Sequence, residues 1–328
     1  MSRNARLLLI DKNQVEALIT LEDSLTATRD AFILHARQEG KVFPLVREKL
    51  ESGAVFGIKS GSVDSRKILG FKAAGFWPDN RARGGEPHQA TILLFDPDTG
   101  RPRCVIDGNI VTTLRTGAAG GLGLMQFARR DSTRLCVFGT GVQAQIQTRF
   151  ALHLMPELRH VDYVSANGTA DARFEAAIAS EAASAGTRIS HATDRDRAVA
   201  ESDIVITATP GTAPLFSRDA VQPGTHINAV GADTAGKREL PEGLLQRTRL
   251  FVDDEAQARV IGETQWAKDT SCIPLGKLLA GEASFTRAPE DITVFDMTGI
   301  ALQDLTMAQL LLQRAEDIGT GTTVNWPW

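Results

Sequence analysis

Four charged side chains stand in company that suggests burial or a ligand. Arg115 lies in Ile110-Val-Thr-Thr-Leu-Arg-Thr-Gly-Ala-Ala-Gly120, an apolar helical stretch, and an unpaired buried arginine is strongly disfavoured. It must meet an anion, either a carboxylate of the chain itself or the carboxylate or phosphate of a ligand. Lys72, in Leu69-Gly-Phe-Lys-Ala-Ala-Gly75, poses the same problem on a strand. Arg47, in Val46-Arg-Glu-Lys49, is equally compatible with an exposed edge strand. Asp233 follows the apolar run Thr225-His-Ile-Asn-Ala-Val-Gly-Ala232. Ligands of open parallel sheets bind outside the carboxyl ends of the strands, so a carboxylate there can serve as acid or base. Asp233-Thr-Ala-Gly236 is also an ordinary turn.

A fifth feature is a turn. Arg134-Leu-Cys-Val-Phe-Gly-Thr-Gly-Val-Gln-Ala144 is a strand that ends in GxGxxA and opens directly into a helix. There Gly139 makes the tight turn, Gly141 lets the backbone approach a pyrophosphate, and Ala144 lets helix and strand pack. The helix start at Val142 and Gln143 offers unpaired N–H groups to phosphate. These residues point to a nicotinamide dinucleotide. The second strand of such a unit normally ends in an acid that accepts the 2′-hydroxyl of NAD. Here Val161-Asp-Tyr-Val-Ser165-Ala-Asn167 places Ser165 at that position, with Asn167 just beyond. Without the carboxylate a 2′-phosphate is not repelled, which tilts the choice toward NADP; no arginine follows to bind one, so NAD stays open.

The elements that must position these residues fall into two groups. From Leu7 to about Asp107 the chain offers a helix near Leu21–Gln38 and strand-like runs Phe43–Lys49, Ala54–Lys59, Ile68–Ala74, Ala90–Asp96 and Pro102–Asp107. Asp96-Pro-Asp-Thr-Gly100 is a turn, because proline presets φ and glycine accepts a positive one. This half reads as a mostly antiparallel sheet with helices on one side. A helix over Ile110–Ala128 follows, with Asn109 as its expected cap. Its cluster Thr116-Gly-Ala-Ala-Gly-Gly-Leu-Gly123 costs roughly 1 kcal/mol per glycine, so close approach of a backbone or ligand is required. From Arg134 strands and helices alternate through Val142–Leu154, His160–Ser165, Ala170–Ala185, Asp203–Thr209, Thr225–Val230, Leu240–Arg247, Leu250–Asp253 and Ile292–Phe295, which indicates βαβ units and a parallel sheet. A last helix, Ala301–Ala315, crosses back to the first half. The fold class is therefore α/β: a Rossmann-type doubly wound parallel sheet plus an α+β domain.

Length and composition fit this. The 328 residues are 42% hydrophobic with a formal charge of −4, so two domains are expected and no basic face for nucleic acid or membrane. Cys104, Cys136 and Cys272 are far apart, lack CxxC or His-rich neighbours, and two of them lie in apolar strand-like runs, which predicts inert thiols. His88, His191 and His226 lack metal-ligand spacing, so satisfied structural roles and no metal are expected. No apolar run reaches membrane-spanning length and Met1-Ser-Arg-Asn4 leads straight toward a strand, which predicts a reduced, cytoplasmic protein.

Three ordered segments, Leu114-Arg-Thr-Gly-Ala-Ala-Gly120, Thr225–Asp233 with Gly236-Lys-Arg-Glu-Leu240, and Phe295-Asp-Met-Thr-Gly-Ile-Ala-Leu-Gln-Asp304, resemble the ornithine cyclodeaminase/μ-crystallin family. The similarity runs over nearly the whole chain. That family also contains an alanine dehydrogenase branch and imino-acid reductases. The resemblance implies a substrate-binding and dimerisation domain over 1–117, completed by 305–328, a dinucleotide-binding domain over 118–304, and a homodimer. It further implies that Arg47, Lys72 and Arg115 grip the α-carboxylate of an amino or imino acid. Asp233 would exchange a proton with the substrate nitrogen or activate water, and Lys72 would polarise the imine. Thr116 would touch the cofactor phosphates and Thr298 and Gly299 would lie near the nicotinamide, with Thr209, Val230 and Lys237 as further contacts of NAD(P)H.

The cyclodeaminase branch places a glutamate about a dozen residues beyond the first arginine, where this chain has Ile58 or Lys59. A lysine repels a δ-ammonium group and attracts a second carboxylate. Reduction of an imino acid, or reductive amination of an oxo acid, is expected on a small substrate with an acidic side chain. The alternatives are ornithine or lysine cyclodeamination with catalytic NAD, and a non-enzymatic NADPH-binding protein like the crystallin branch, which tends to lose the carboxylate kept here at Asp233.

Overall fold

Period-two runs of the first hundred residues pair as strands of one sheet. The computed structural model describes residues 5–326. Strand β1 (Ala5–Ile10) leads through helices α1 (Lys12–Leu18) and α2 (Leu21–Ala36) to β2 (Lys41–Val42), β3 (Val46–Lys49), β4 (Val55–Val63), β5 (Ile68–Phe76), β6 (His88–Phe95) and β7 (Pro102–Asp107). Both helices start on capping boxes, Asp11 with Gln14 and Thr20 with Asp23. The expected strand Phe43–Lys49 is confined to Val46–Lys49, because Pro44 has no N–H for a ladder. All pairings along β7-β6-β5-β4 are antiparallel, while β1 joins β7 in parallel.

Helix α3 (Gly108–Phe127) follows. Its cap is Asp107 and not Asn109: Asp107 Oδ1 accepts from the backbone N–H groups of Asn109 and Ile110, both at 3.1 Å. The reason is geometric, since only the residue ahead of the first turn can reach back to those orphan donors.

The following run is β8 (Arg134–Phe138), α4 (Val142–Leu154), β9 (His160–Val164), α5 (Ala172–Ala185), β10 (Arg188–His191), α6 (Arg195–Ala200), β11 (Ile204–Thr207), β12 (His226–Ala229), β13 (Arg249–Val252), α7 (Glu255–Ile261), β14 (Cys272–Pro274), α8 (Leu275–Leu279) and β15 (Thr293–Asp296). These strands form a wholly parallel sheet in the order β10-β9-β8-β11-β12-β15-β13-β14. Strands β11, β12 and β15 are buried along their whole length, as a sheet covered on both faces requires. The expected element Leu240–Arg247 is only a short helical turn, Leu245–Arg247. Pro241 and the positive φ of Gly243 break anything longer. The glycines of α3 have their packing reason: a Cβ at Gly117 or Gly120 would collide with Phe150 or Gln147 of α4, and one at Gly123 with Phe295 of β15.

The chain closes with α9 (Ala301–Ile318) and β16 (Thr322–Trp326), which pairs antiparallel with β1. Helix α9 packs on α2, β4 and β5. The chain divides into two compact units, one formed by the segment through Arg115 together with the segment from Ile300, the other by Thr116–Gly299. Positions 1–4, 327 and 328 of the expected domain division lie outside the described residues.

Candidate active site

In the first unit, register gathers the cations. Arg47 stands opposite Gly57, Lys59 opposite Lys72, Lys72 opposite Ile92 and Phe76 opposite His88. Paired residues share a face and faces alternate along a strand, so Arg47, Lys59, Lys72 and His88 occupy one side of the sheet. It is the side α9 covers, since a Cβ at Gly61 or Gly70 would approach Leu302 or Leu305. Like charges directly opposite are unfavourable, and Asp304 of α9 offsets them. Its Oδ1 lies 2.8 Å from Lys72 Nζ and 3.2 Å from Arg115 Nε, with all three side chains a tenth exposed or less. Lys72 also donates to Thr112 Oγ1 at 3.1 Å. Arg115 thus meets a carboxylate of the chain, supplied by the last helix, and its Nη1 lies 3.4 Å from Gln303 Oε1.

The electrostatics follow from crowding. Burial pulls the Lys72 ammonium down to about 7, Asp304 opposes that, and Arg115 and Lys59 add to it. Asp304 is held below the usual carboxylate range despite its burial, by Lys72 first and then Arg115. His88 feels the same group: burial and then the Lys72 charge keep its imidazole below its ordinary value, while Nδ1 faces Asn109 Oδ1 at 3.2 Å. Lys59, Lys72 and Arg115 are therefore together, whereas Arg47 shares their face two strands from Lys72. Sequence reasoning missed Asp304, Gln303 and His88 as members. The only signal was that Gln303 and Asp304 end the third family-like segment.

In the second unit, Gly139 has φ +103° and a Cβ there would sit 2.6 Å from Ala208 O. Only glycine fits. Gly141 has an ordinary φ of −75° with nothing within 4 Å of an added Cβ, and it opens α4 without any side-chain cap. The open surface at Gly141 and the uncapped helix N-terminus fit a dinucleotide pyrophosphate. Ser165, at the end of β9, uses its hydroxyl within the chain, donating to Thr169 O at 2.6 Å and lying 3.1 Å from His191 Nε2. Asn167 is exposed beside it. The buried Thr116 gives its carbonyl to Gln147 of α4.

The ends of the parallel strands are tied by buried carboxylates. Glu239 Oε1 accepts from Thr209 N and Oγ1 at 2.7 and 2.8 Å, and its Oε2 from Gly231 N at 2.8 Å. It thereby joins the end of β11 to the residue after Val230. Asp253 accepts from the N–H and hydroxyl of Thr298 and from the N–H of Gly299, and Gln257 Nε2 donates to Thr298 Oγ1 and Gly299 O. Glu263 and Asp296 are pushed up to about 8 and about 7, in each case chiefly by burial. Asp233 is part-exposed, and its Oδ1 receives Lys237 Nζ at 2.7 Å and the Thr234 hydroxyl at 3.1 Å. Lys237 thus meets a carboxylate.

Among the described residues no cluster of His, Cys, Asp and Glu could hold a metal ion, and no helix is long and apolar enough to cross a membrane. His226 is buried between Thr293 and Asn228, with burial pulling it down to about 3. Cys104 and Cys136 are buried and their thiols raised by that burial, Cys104 to about 12.

The sequence pattern of the ornithine cyclodeaminase/mu-crystallin family matches residues 7–319. The chain belongs to this family. Within it, the iminosuccinate reductase of Paracoccus denitrificans (strain Pd 1222) is 34% identical over 326 residues, covering 97% of this chain and 100% of that protein. The crystal structure of that reductase in complex with NAD+ superimposes with a TM-score of 0.87. An archaeal alanine dehydrogenase dimer with bound NAD gives a TM-score of 0.89 at 29% identity, covering 98% of this chain and 99% of that one. A Thermococcus litoralis Δ1-pyrroline-2-carboxylate reductase in complex with NADH and L-proline gives 0.87 at 25% identity, covering 97% and 100%. These family members share the Rossmann-type unit.

Proposed function

We propose that the protein is an NAD(P)H-dependent imino-acid reductase, or amino-acid dehydrogenase in the reverse direction, acting on a small substrate with two carboxylates. The observation that carries the substrate half is the cationic group: Lys59 stands directly opposite Lys72, and Lys72 and Arg115 converge on one oxygen of Asp304. A substrate that carries two carboxylates suits this cationic face. The relatives' activities, iminosuccinate reduction first among them, support the same class.

In this reading Arg115 and Lys72 take the α-carboxylate, with Arg47 on the same sheet face, and Lys59 takes the second carboxylate. The bound nicotinamide supplies a hydride to Cα. Lys72 keeps the substrate nitrogen protonated, and Asp233, paired with Lys237, exchanges the proton on that nitrogen. Thr116, Gly139, Gly141, Val142 and Gln143 hold the phosphates, Ser165 and Asn167 lie at the adenosine ribose, and Thr209, Val230, Thr298 and Gly299 line the nicotinamide. Orientation and charge carry the rate, not covalent chemistry. The substrate-binding unit is the one ending at Arg115 and resuming at Ile300. The reading extends to a cytoplasmic homodimer. Val42, Phe43, Leu45, Val46 and Leu50 form an exposed apolar run that supports self-association, and one relative is described as a dimer.

The test is a spectrophotometric screen of NADH and NADPH oxidation against glyoxylate, pyruvate, oxaloacetate and cyclic imines, with ammonium or methylamine present. Turnover of oxaloacetate with ammonium is expected to exceed that of pyruvate. If no imine is reduced and ornithine releases ammonia without net change in NADH, the protein is a cyclodeaminase instead.

A further inference from the structure

Gln303 is wholly buried on the first turn of α9, and its amide is oriented by two donors. Its Oε1 accepts from Ile300 N at 2.9 Å and faces Arg115 Nη1 at 3.4 Å. Neither neighbour can accept a hydrogen bond, so turning the amide over would set N–H against N–H at both. Nε2 is therefore fixed on the other side, where it is buried and has no partner among the described residues. A buried amide donor left unmade is costly, and such groups are rare in folded proteins. Asp304, the next residue, likewise keeps a buried oxygen, Oδ2, without a partner.

Of these two atoms only Nε2 is a donor, and it belongs to the amide that faces Arg115. We propose that Gln303 is a substrate-specifying residue: its Nε2 donates to a carboxylate oxygen of the substrate beside Arg115, while its Oε1 holds that arginine in place. The cations Arg115, Lys72 and Lys59 draw an anion to this side of the sheet, so the acceptor that completes Nε2 is an anionic oxygen. The inference rests on the reductase reading only for the name of the substrate; the binding of a carboxylate stands separately.

Two variants separate the donor from mere packing. Gln303→Glu keeps an acceptor for Ile300 N and Arg115 and loses the donor, whereas Gln303→Met is neutral and loses both. The KM for oxaloacetate with ammonium, the calorimetric Kd for L-aspartate in the presence of NADH, and the Kd for NADH by fluorescence are measured on wild type and both variants. The expected result is a KM and an L-aspartate Kd raised about ten-fold or more in both variants, with NADH affinity within about two-fold of wild type. A loss confined to Gln303→Met makes the residue only a support for Arg115, and a loss confined to Gln303→Glu is a charge effect; either overturns the proposal, as does no loss in either or a wild type that binds no L-aspartate. Wild-type protein that binds L-aspartate through Gln303 yet reduces no imine leaves this proposal standing and refutes the reductase reading.

Discussion

Replacing Asp304 by asparagine keeps the shape of the side chain and removes its charge. In the folded protein one oxygen of Asp304 serves both Lys72, at 2.8 Å, and Arg115, at 3.2 Å. Removing one partner from a buried charge network costs about 3–5 kcal/mol, which for a unit of this size corresponds to a fall in Tm of roughly 10 °C. The loss depends on pH. Burial brings Lys72 from its ordinary 10.5 to about 7, with Asp304 resisting the fall and Arg115 and Lys59 deepening it. Between those two values the unfolded chain holds more protons than the folded one. Stability tied to Lys72 therefore rises with pH across that window and is lowest below it, by about 5 kcal/mol in full. The D304N substitution lowers Lys72 further, so at about pH 9 the lysine is neutral in both folded proteins and only the Arg115 share of the loss persists. Thermal and urea unfolding at about pH 6 and about pH 9 check this, with the larger deficit expected at the lower pH. A variant as stable as wild type at the lower pH, or a deficit that grows with pH, refutes the placement of this charge network.

The glycine turn makes a paired prediction. Gly139→Ala strains a positive φ and meets Ala208 O, so both Tm and NADH affinity fall; Gly141→Ala meets nothing in the chain, so Tm holds while NADH binding by fluorescence weakens about ten-fold. Because Lys72 sits at about 7, kcat/KM for the imine falls on the alkaline side of that value as the lysine loses its proton, and a profile flat to about pH 9 removes Lys72 from carboxylate binding. Asp233→Asn lowers kcat by about 100-fold with KM and Tm little changed; near-wild-type turnover assigns proton transfer elsewhere.

Local chemistry made much of this protein legible from its sequence. The GxGxxA turn needs only a strand, three small residues and a helix start, all contiguous, and the parallel unit around it follows from alternating periods. Arg115 and Lys72 also declared themselves, because a charge in an apolar run demands an anion wherever the chain goes. What answered the demand was decided by tertiary structure. Asp304 reaches Lys72 and Arg115 only because the last helix returns to the first sheet, and no local pattern links those positions. Register decided the rest: Lys59 faces Lys72, and His88 joins the same face, since one residue of slip would turn every side chain of a strand to the other side. Asn109 shows the converse, a residue with the right chemistry for a cap set one position too late, so that Asp107 takes the role and Asn109 is left to meet His88. The orphan donor of Gln303 lies deepest in that category, for it exists only where two donors converge on one buried amide.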